Sequence, residues 1–278
     1  MRVGRGIDLR GAVAVVTGAS SGIGWSAAWA LAAGGATVVA AARREDRLAH
    51  LVGQIEQRGG RALAVGCDVT DRAQVEALRD RTLGAFGRAD VLVSNAGIPG
   101  GGEFARMPVE HVERVVATNL LGVLYGARAF LPAMLEAGRG HVVNVASLAG
   151  RFAIPGQSVY GATKHAVIGF SESLNYETSP RGVLVTAVNP GFTSTEAFPQ
   201  TELIERGIPV MAPRDVARVI VRVVRRGDAP EASIPRWISA LQAVRTLAPR
   251  PYRAAVRTLV GAGGYRPTER PEGGPAGR

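Results

Sequence analysis

Short apolar runs alternate with longer segments of helical spacing along most of the chain. The runs Ala12–Thr17, Thr37–Ala41, Ala62–Val65, Val91–Ser94, His141–Ala146 and Val183–Val188 read as strands, with a weaker one near Ala232–Ile234. Between them, Ile23–Ala33, Glu45–Gln57, Arg72–Phe86, Val109–Leu135, Ser158–Thr178 and Arg214–Arg225 have the length and apolar spacing of helices. Continuous apolar strands separated by amphipathic helices require a parallel sheet covered on both faces, so the expected fold is α/β, doubly wound and Rossmann-like. Ligands in such folds bind beyond the carboxyl ends of the strands, which directs attention to the loop after each strand.

The pattern changes after Ile234. Trp237, Ile238, Leu241, Val244 and Leu247 keep helical spacing, Pro249 and Pro251 interrupt it, and Tyr252, Val256, Leu259 and Val260 suggest a second short helix. The organisation expected is a basic arm over 1–10, a single nucleotide-binding and catalytic domain over 11–235, a helical extension over 236–260 and a disordered tail over 261–278. A chain of 278 residues suits one such domain and not two.

Composition narrows the class. No stretch approaches the roughly 18 uninterrupted apolar residues of a membrane span, and the first ten residues lack the apolar core of a secretion signal. With a lone Cys67 there is no internal disulfide, and the expected location is the cytoplasm. The net charge is +10, but six of the ten excess charges lie from Arg225 onward. The reading preferred is a solvated Arg-rich terminus with no nucleic-acid partner; peripheral membrane contact through the C-terminal helices stays open. Of the 33 basic residues only Lys164 is lysine. A chain so biased towards arginine is expected to keep lysine where a compact ammonium on a flexible stem is needed.

The first strand ends in TGASSGIG, which puts Gly18, Gly22 and Gly24 at a strand-to-helix turn. Glycines there let the backbone approach a pyrophosphate, and the free amides and dipole of the following helix stabilise its charge. The turn thus marks Thr17, Gly18, Ser20, Ser21, Gly22, Ile23 and Gly24 as a dinucleotide site. About twenty residues on, where a carboxylate would select NAD, stand Ala42, Arg43 and Arg44. A guanidinium pairs with a 2′-phosphate, so the cofactor expected is NADP(H).

Tyr160 and Lys164 are four residues apart in a helical segment and therefore share a face. A phenol that exchanges a proton near neutrality needs its pKa lowered by roughly three units, about 4 kcal/mol. One ammonium at about 4 Å in an effective dielectric near 20 supplies about that much. Ser147 follows the apolar run His141–Ala146 and can hydrogen-bond a substrate oxygen as charge develops on it. His111, His141 and His165 have no metal-ligand spacing with Cys or acids, and no metal is expected.

These motifs, in order, resemble the short-chain dehydrogenase/reductase family. Thr17–Gly24 matches its TGxxxGxG turn, and the likeness continues through Asp68 and Val69, Asn95–Gly97, Asn119, Ser147, Tyr160–Lys164 and Pro190–Thr195. The resemblance implies that Asp68 and Val69 hold the adenine, that Asn95, Ala96 and Gly97 lie beside the cofactor, and that Pro190, Gly191, Thr193 and Thr195 contact the nicotinamide amide. It implies that Lys164 also holds the nicotinamide ribose and that Asn119 takes part in a proton relay. The activity implied is alcohol–carbonyl interconversion by hydride transfer, with Tyr160 as proton donor or acceptor, in a homodimer or homotetramer. Ile98, Phe152, Ile154, Phe192, Phe198 and Met211 suggest an apolar, bulky small-molecule substrate. The alternatives are a ketoacyl-carrier-protein reductase and, from another class, a non-catalytic dinucleotide sensor or membrane-surface protein.

Overall fold

A computed structural model describes residues 6–198, 204–205, 209–235 and 237–254. The start of the basic arm, the tail over 261–278 and the last part of the second C-terminal helix lie outside the described residues. Seven strands form one parallel sheet in the order β3-β2-β1-β4-β5-β6-β7. They are β1 (Val13–Thr17), β2 (Thr37–Ala42), β3 (Arg61–Gly66), β4 (Val91–Ser94), β5 (Gly140–Val145), β6 (Val183–Pro190) and β7 (Glu231–Ile234). This is the doubly wound Rossmann-like architecture expected from the alternating pattern. The order reverses between β1 and β4, and a crevice opens there at the carboxyl ends.

The central strands are apolar at nearly every position because both of their faces are covered. Along β1, Ala14 and Val16 face one layer while Val13 and Val15 face the other. The first layer contains α1 (Gly22–Ala33), α2 (Glu45–Gln57) and α7 (Pro213–Arg226), which bring Leu31, Leu48, Leu51 and Ile220 into the core. The second contains α3 (Arg72–Phe86), α5 (Gly122–Glu136) and α6 (Ser158–Thr178), with Leu78, Phe130, Met134 and Leu174.

The helical run expected over 109–135 is not continuous α-helix. After α4 (Val109–Val116) the segment Ala117–Leu121 adopts π-helical winding before α5 begins. By length and composition Val109–Glu136 is apolar enough to cross a membrane. Its buried residues Val115, Asn119, Val123, Ala127 and Phe130 place it instead within the packed domain. The C-terminal helix α8 (Trp237–Leu247) packs near β7, and Tyr252 beyond it lies 6.3 Å from the Phe152 ring.

Candidate active site

The turn after β1 is too crowded for side chains. Gly18 and Gly22 have φ of 66° and 55°, where residues with a Cβ are strained. A Cβ on Gly18 would lie 2.8 Å from Ala96 Cα, and one on Gly24 would lie 2.3 Å from the Gly18 carbonyl oxygen. Thr17 ties this turn to the loop after β4: its Oγ1 accepts from the amides of Asn95 and Ala96 at 3.0 and 3.3 Å. Asn95 Nδ2 donates back to the Thr17 carbonyl at 3.0 Å. The first turn of α1 carries no acidic side chain, so its free amides face a space suited to an anion.

Arg44 is anchored on this turn. Its guanidinium donates to Ser20 Oγ at 3.1 and 3.2 Å and to Ser21 Oγ at 2.8 Å, and pairs with Glu196 at 2.8 Å. That pairing holds the Glu196 carboxyl below the usual carboxylate range. Arg43 is more exposed and stands 3.8 Å from Asp68. Cys67, at the same end, is buried, and its thiol is pushed up to about 11 by burial and by the carboxylates of Asp68 and Asp71.

A cavity of about 520 Å³ runs from this turn to the ends of β5 and β6. Most of the expected cofactor residues line it: Gly18, Ser20, Ser21, Gly22, Ile23, both arginines, Asp68, Val69, Asn95–Gly97, Pro190, Gly191, Thr193 and Thr195. Thr17 and Gly24 do not; they lie beneath the turn and shape it. The residues fit a dinucleotide: glycines at 18 and 24 let the turn pack tightly against the loop after β4, and the backbone at Gly18 and Gly22 borders the cavity where a pyrophosphate would lie.

At the far end the cavity is lined by Ser147, Tyr160 and Lys164 together. Ser147 leaves the end of β5 and caps a short 3₁₀ turn, Leu148–Gly150, with its Oγ 3.1 Å from the Ala149 amide. Tyr160 and Lys164 stand one turn apart on α6, as the spacing requires. Lys164 Nζ donates to the Val145 carbonyl at 2.9 Å and lies 5.6 Å from the centre of the Tyr160 ring.

The electrostatics differ from the simple expectation. Burial raises the Tyr160 phenol above its ordinary value, and the group opposing that rise is the Ser147 hydroxyl, hydrogen-bonded to it. Lys164 is subject to the same burial. It is only 4% exposed, and burial pushes its own ammonium down to about 8. The physical reason is shared desolvation: both groups are removed from water, which disfavours phenolate and ammonium alike.

Asn119 is fully buried in the π-helical segment and does not line the cavity. Its amide bonds both backbone groups of Ile98, accepting from N at 2.8 Å and donating to O at 3.0 Å. A Cβ on the adjoining Gly97 would lie 3.3 Å from Asn119 Oδ1 and 3.7 Å from Lys164 Nζ. Asn119 therefore braces the loop that faces Lys164.

Ile98, Ile154, Phe192 and Phe198 line the cavity, and the Phe198 ring lies 5.6 Å from the Tyr160 ring, tilted by 56° to it. Phe152 and Met211 do not. Phe152 is buried against Tyr252, and Met211 packs on the core while its backbone bridges to Thr193. Gln157, Leu148 and Thr118 also line the cavity and were missed. Gln157, three residues before Tyr160, was open to the same helix-face argument that found Lys164.

A family model described as short chain dehydrogenase matches residues 12–204. The glycine betaine reductase ATRR of Emericella nidulans is 40% identical over 228 residues, 79% of this chain; the match spans only 18% of that much longer protein. Among solved structures, a single-site variant of actinorhodin polyketide ketoreductase with NADPH superposes with a TM-score of 0.76 at 33% identity, covering 80% of this chain and 95% of that one. A 3-ketoacyl-(acyl-carrier-protein) reductase from Brucella melitensis complexed with NADH gives 0.74 at 30% identity, covering 81% and 98%.

Proposed function

The chain belongs to the short-chain dehydrogenase/reductase family and is an oxidoreductase; from that premise we propose that it uses NADP(H) to interconvert a secondary alcohol and a ketone on an apolar small molecule. The observation that carries this reading is the convergence of Ser147, Tyr160 and Lys164 on one cavity with the glycine turn. When bound, the nicotinamide cofactor supplies or takes up the hydride. The protein's own part is to hold and protonate the substrate oxygen. Ser147 donates a hydrogen bond to that oxygen as negative charge develops, and Tyr160 passes it a proton. Lys164 holds a positive charge behind the phenol and favours its anion once the proton has left. Asn119 keeps the loop at Gly97 and Ile98 in register with Lys164. Phe192, Phe198, Ile98 and Ile154 exclude water and give the substrate end its apolar character. Residues 11–235 form the catalytic unit in this reading, with 236–260 an appendage.

Preference for the 2′-phosphate rests on Arg44, held over the turn by Ser20 and Ser21, with Arg43 beside it. A ketoacyl substrate is the second reading, supported by the ketoacyl and polyketide reductases among the similar structures. The experiment is steady-state oxidation of NADPH and of NADH across a panel of bulky ketones. NADPH should be preferred, and Arg44→Ala should weaken NADPH binding by about 10–100-fold, the loss of charge-assisted hydrogen bonds to a phosphate, with little change for NADH. Equal use of both coenzymes, unaltered by Arg44→Ala, would remove the basis for the assignment.

A further inference from the structure

The cavity is bordered by a polar side chain, Gln157, that proton and hydride transfer leave without a task. Gln157 occupies the N-cap position of α6, yet its side chain does not cap the helix. Its Oε1 is buried and meets no hydrogen-bond partner among the described residues. The glycine-rich stretch 100–102 closes on it. A Cβ on Gly101 would lie 2.7 Å from Gln157 Nε2, and the Gly102 amide donates to the Gly156 carbonyl at 2.8 Å. The amide is thus confined against the backbone and borders the same cavity as Tyr160 and Ser147.

A buried amide without a partner is destabilising, and such groups call for a specific explanation. Three residues apart at the start of one helix, Gln157 and Tyr160 have Cβ atoms about 5–6 Å apart. That spacing suits two carbonyl oxygens whose carbons are separated by a single carbon of one short segment, not groups at opposite ends of a long chain. Turning the amide by half a rotation exchanges its oxygen for its NH₂, so it can donate to a carbonyl. We infer that Gln157 reads a second carbonyl oxygen on the substrate, two carbons from the ketone engaged by Tyr160 and Ser147, which makes a 3-oxoacyl compound the substrate class in place of an isolated ketone. This rests on the proposed roles of Tyr160 and Ser147.

The test compares ethyl 3-oxohexanoate with 4-nonanone, which keeps the chain length and the ketone position but lacks the second carbonyl, using NADPH and the full chain. In the wild-type enzyme KM should be about tenfold lower for the ester, the ratio that about 1.4 kcal/mol produces. Gln157→Met, close to isosteric but without hydrogen-bonding capacity, should lower the ester-to-ketone ratio of kcat/KM by about tenfold, with the change carried by the KM of the ester. Equal wild-type KM values, or a ratio that Gln157→Met leaves unaltered, would overturn the inference while 4-nonanone reduction upholds the reading of the site. Reduction of neither compound would overturn both.

Discussion

Burial acts on Lys164 and Tyr160 in opposite chemical senses: it makes the lysine easier to deprotonate and the tyrosine harder. Reduction needs the ammonium charged and the phenol protonated. The phenol, raised by burial, keeps its proton through the neutral range, so the limiting group is Lys164. Its pKa is lowered to about 8; the charged form is therefore complete at lower pH and lost as pH rises through that value, well before an ordinary lysine would titrate. The kcat/KM for ketone reduction should be level below about pH 8 and fall above it. A pH–rate profile checks this, and a profile level through pH 10 would show that Lys164 keeps its charge or does not matter. At this scale the sequence was legible where a residue type and a spacing sufficed, as for Tyr160 with Lys164 and for Ser147. It was not legible where the environment decides. The direction of the tyrosine shift depends on desolvation, and the placing of Phe152 against Tyr252 depends on a segment distant in sequence.

Among the elements, the glycine turn and the π-helical segment do different work. The turn exists because three close approaches leave no volume for side chains, and Gly24 is its tightest point. Gly24→Ala would press a methyl group against the Gly18 carbonyl and Asn95 Nδ2, 2.3 and 2.5 Å away. Overpacking of this kind costs about 1–3 kcal/mol. NADPH affinity should drop by about 5–150-fold, measured by fluorescence titration. Gly53→Ala, in α2 with nothing within 4 Å of the added Cβ, should instead stabilise the fold by about 0.5–1 kcal/mol in urea unfolding. If both variants bind NADPH as the wild type does, the turn is not a cofactor cradle. Sequence pattern found the turn because glycine spacing records a steric demand. It missed the π-helical insertion at Ala117–Leu121, because Ala-Thr-Asn-Leu-Leu carries no periodicity that separates π from α winding over five residues. The insertion is nonetheless what aims Asn119 at Ile98.

For the molecule as a whole, a parallel sheet whose strand order reverses between β1 and β4 puts the ends of β1, β4, β5 and β6 around one cavity, so residues from Gly18 to Phe198 meet in a single site. That convergence was legible in outline, since alternating apolar runs and helices admit few topologies. The C-terminal extension was legible only as helical spacing; none of its described residues lines the cavity, although Tyr252 meets Phe152 in the segment between Ser147 and Tyr160. On the reading proposed above, this cavity binds NADPH and protonates a ketone through a single phenol. Tyr160→Phe tests it most directly, with NADPH titration and single-turnover ketone reduction measured on the same preparation. NADPH affinity should stay within about twofold of wild type, because the cradle is backbone and arginine, and the reduction rate should fall by about 10²–10⁴-fold, the contribution of a positioned general acid. Ketone reduction by the Tyr160→Phe variant at the wild-type rate would contradict it.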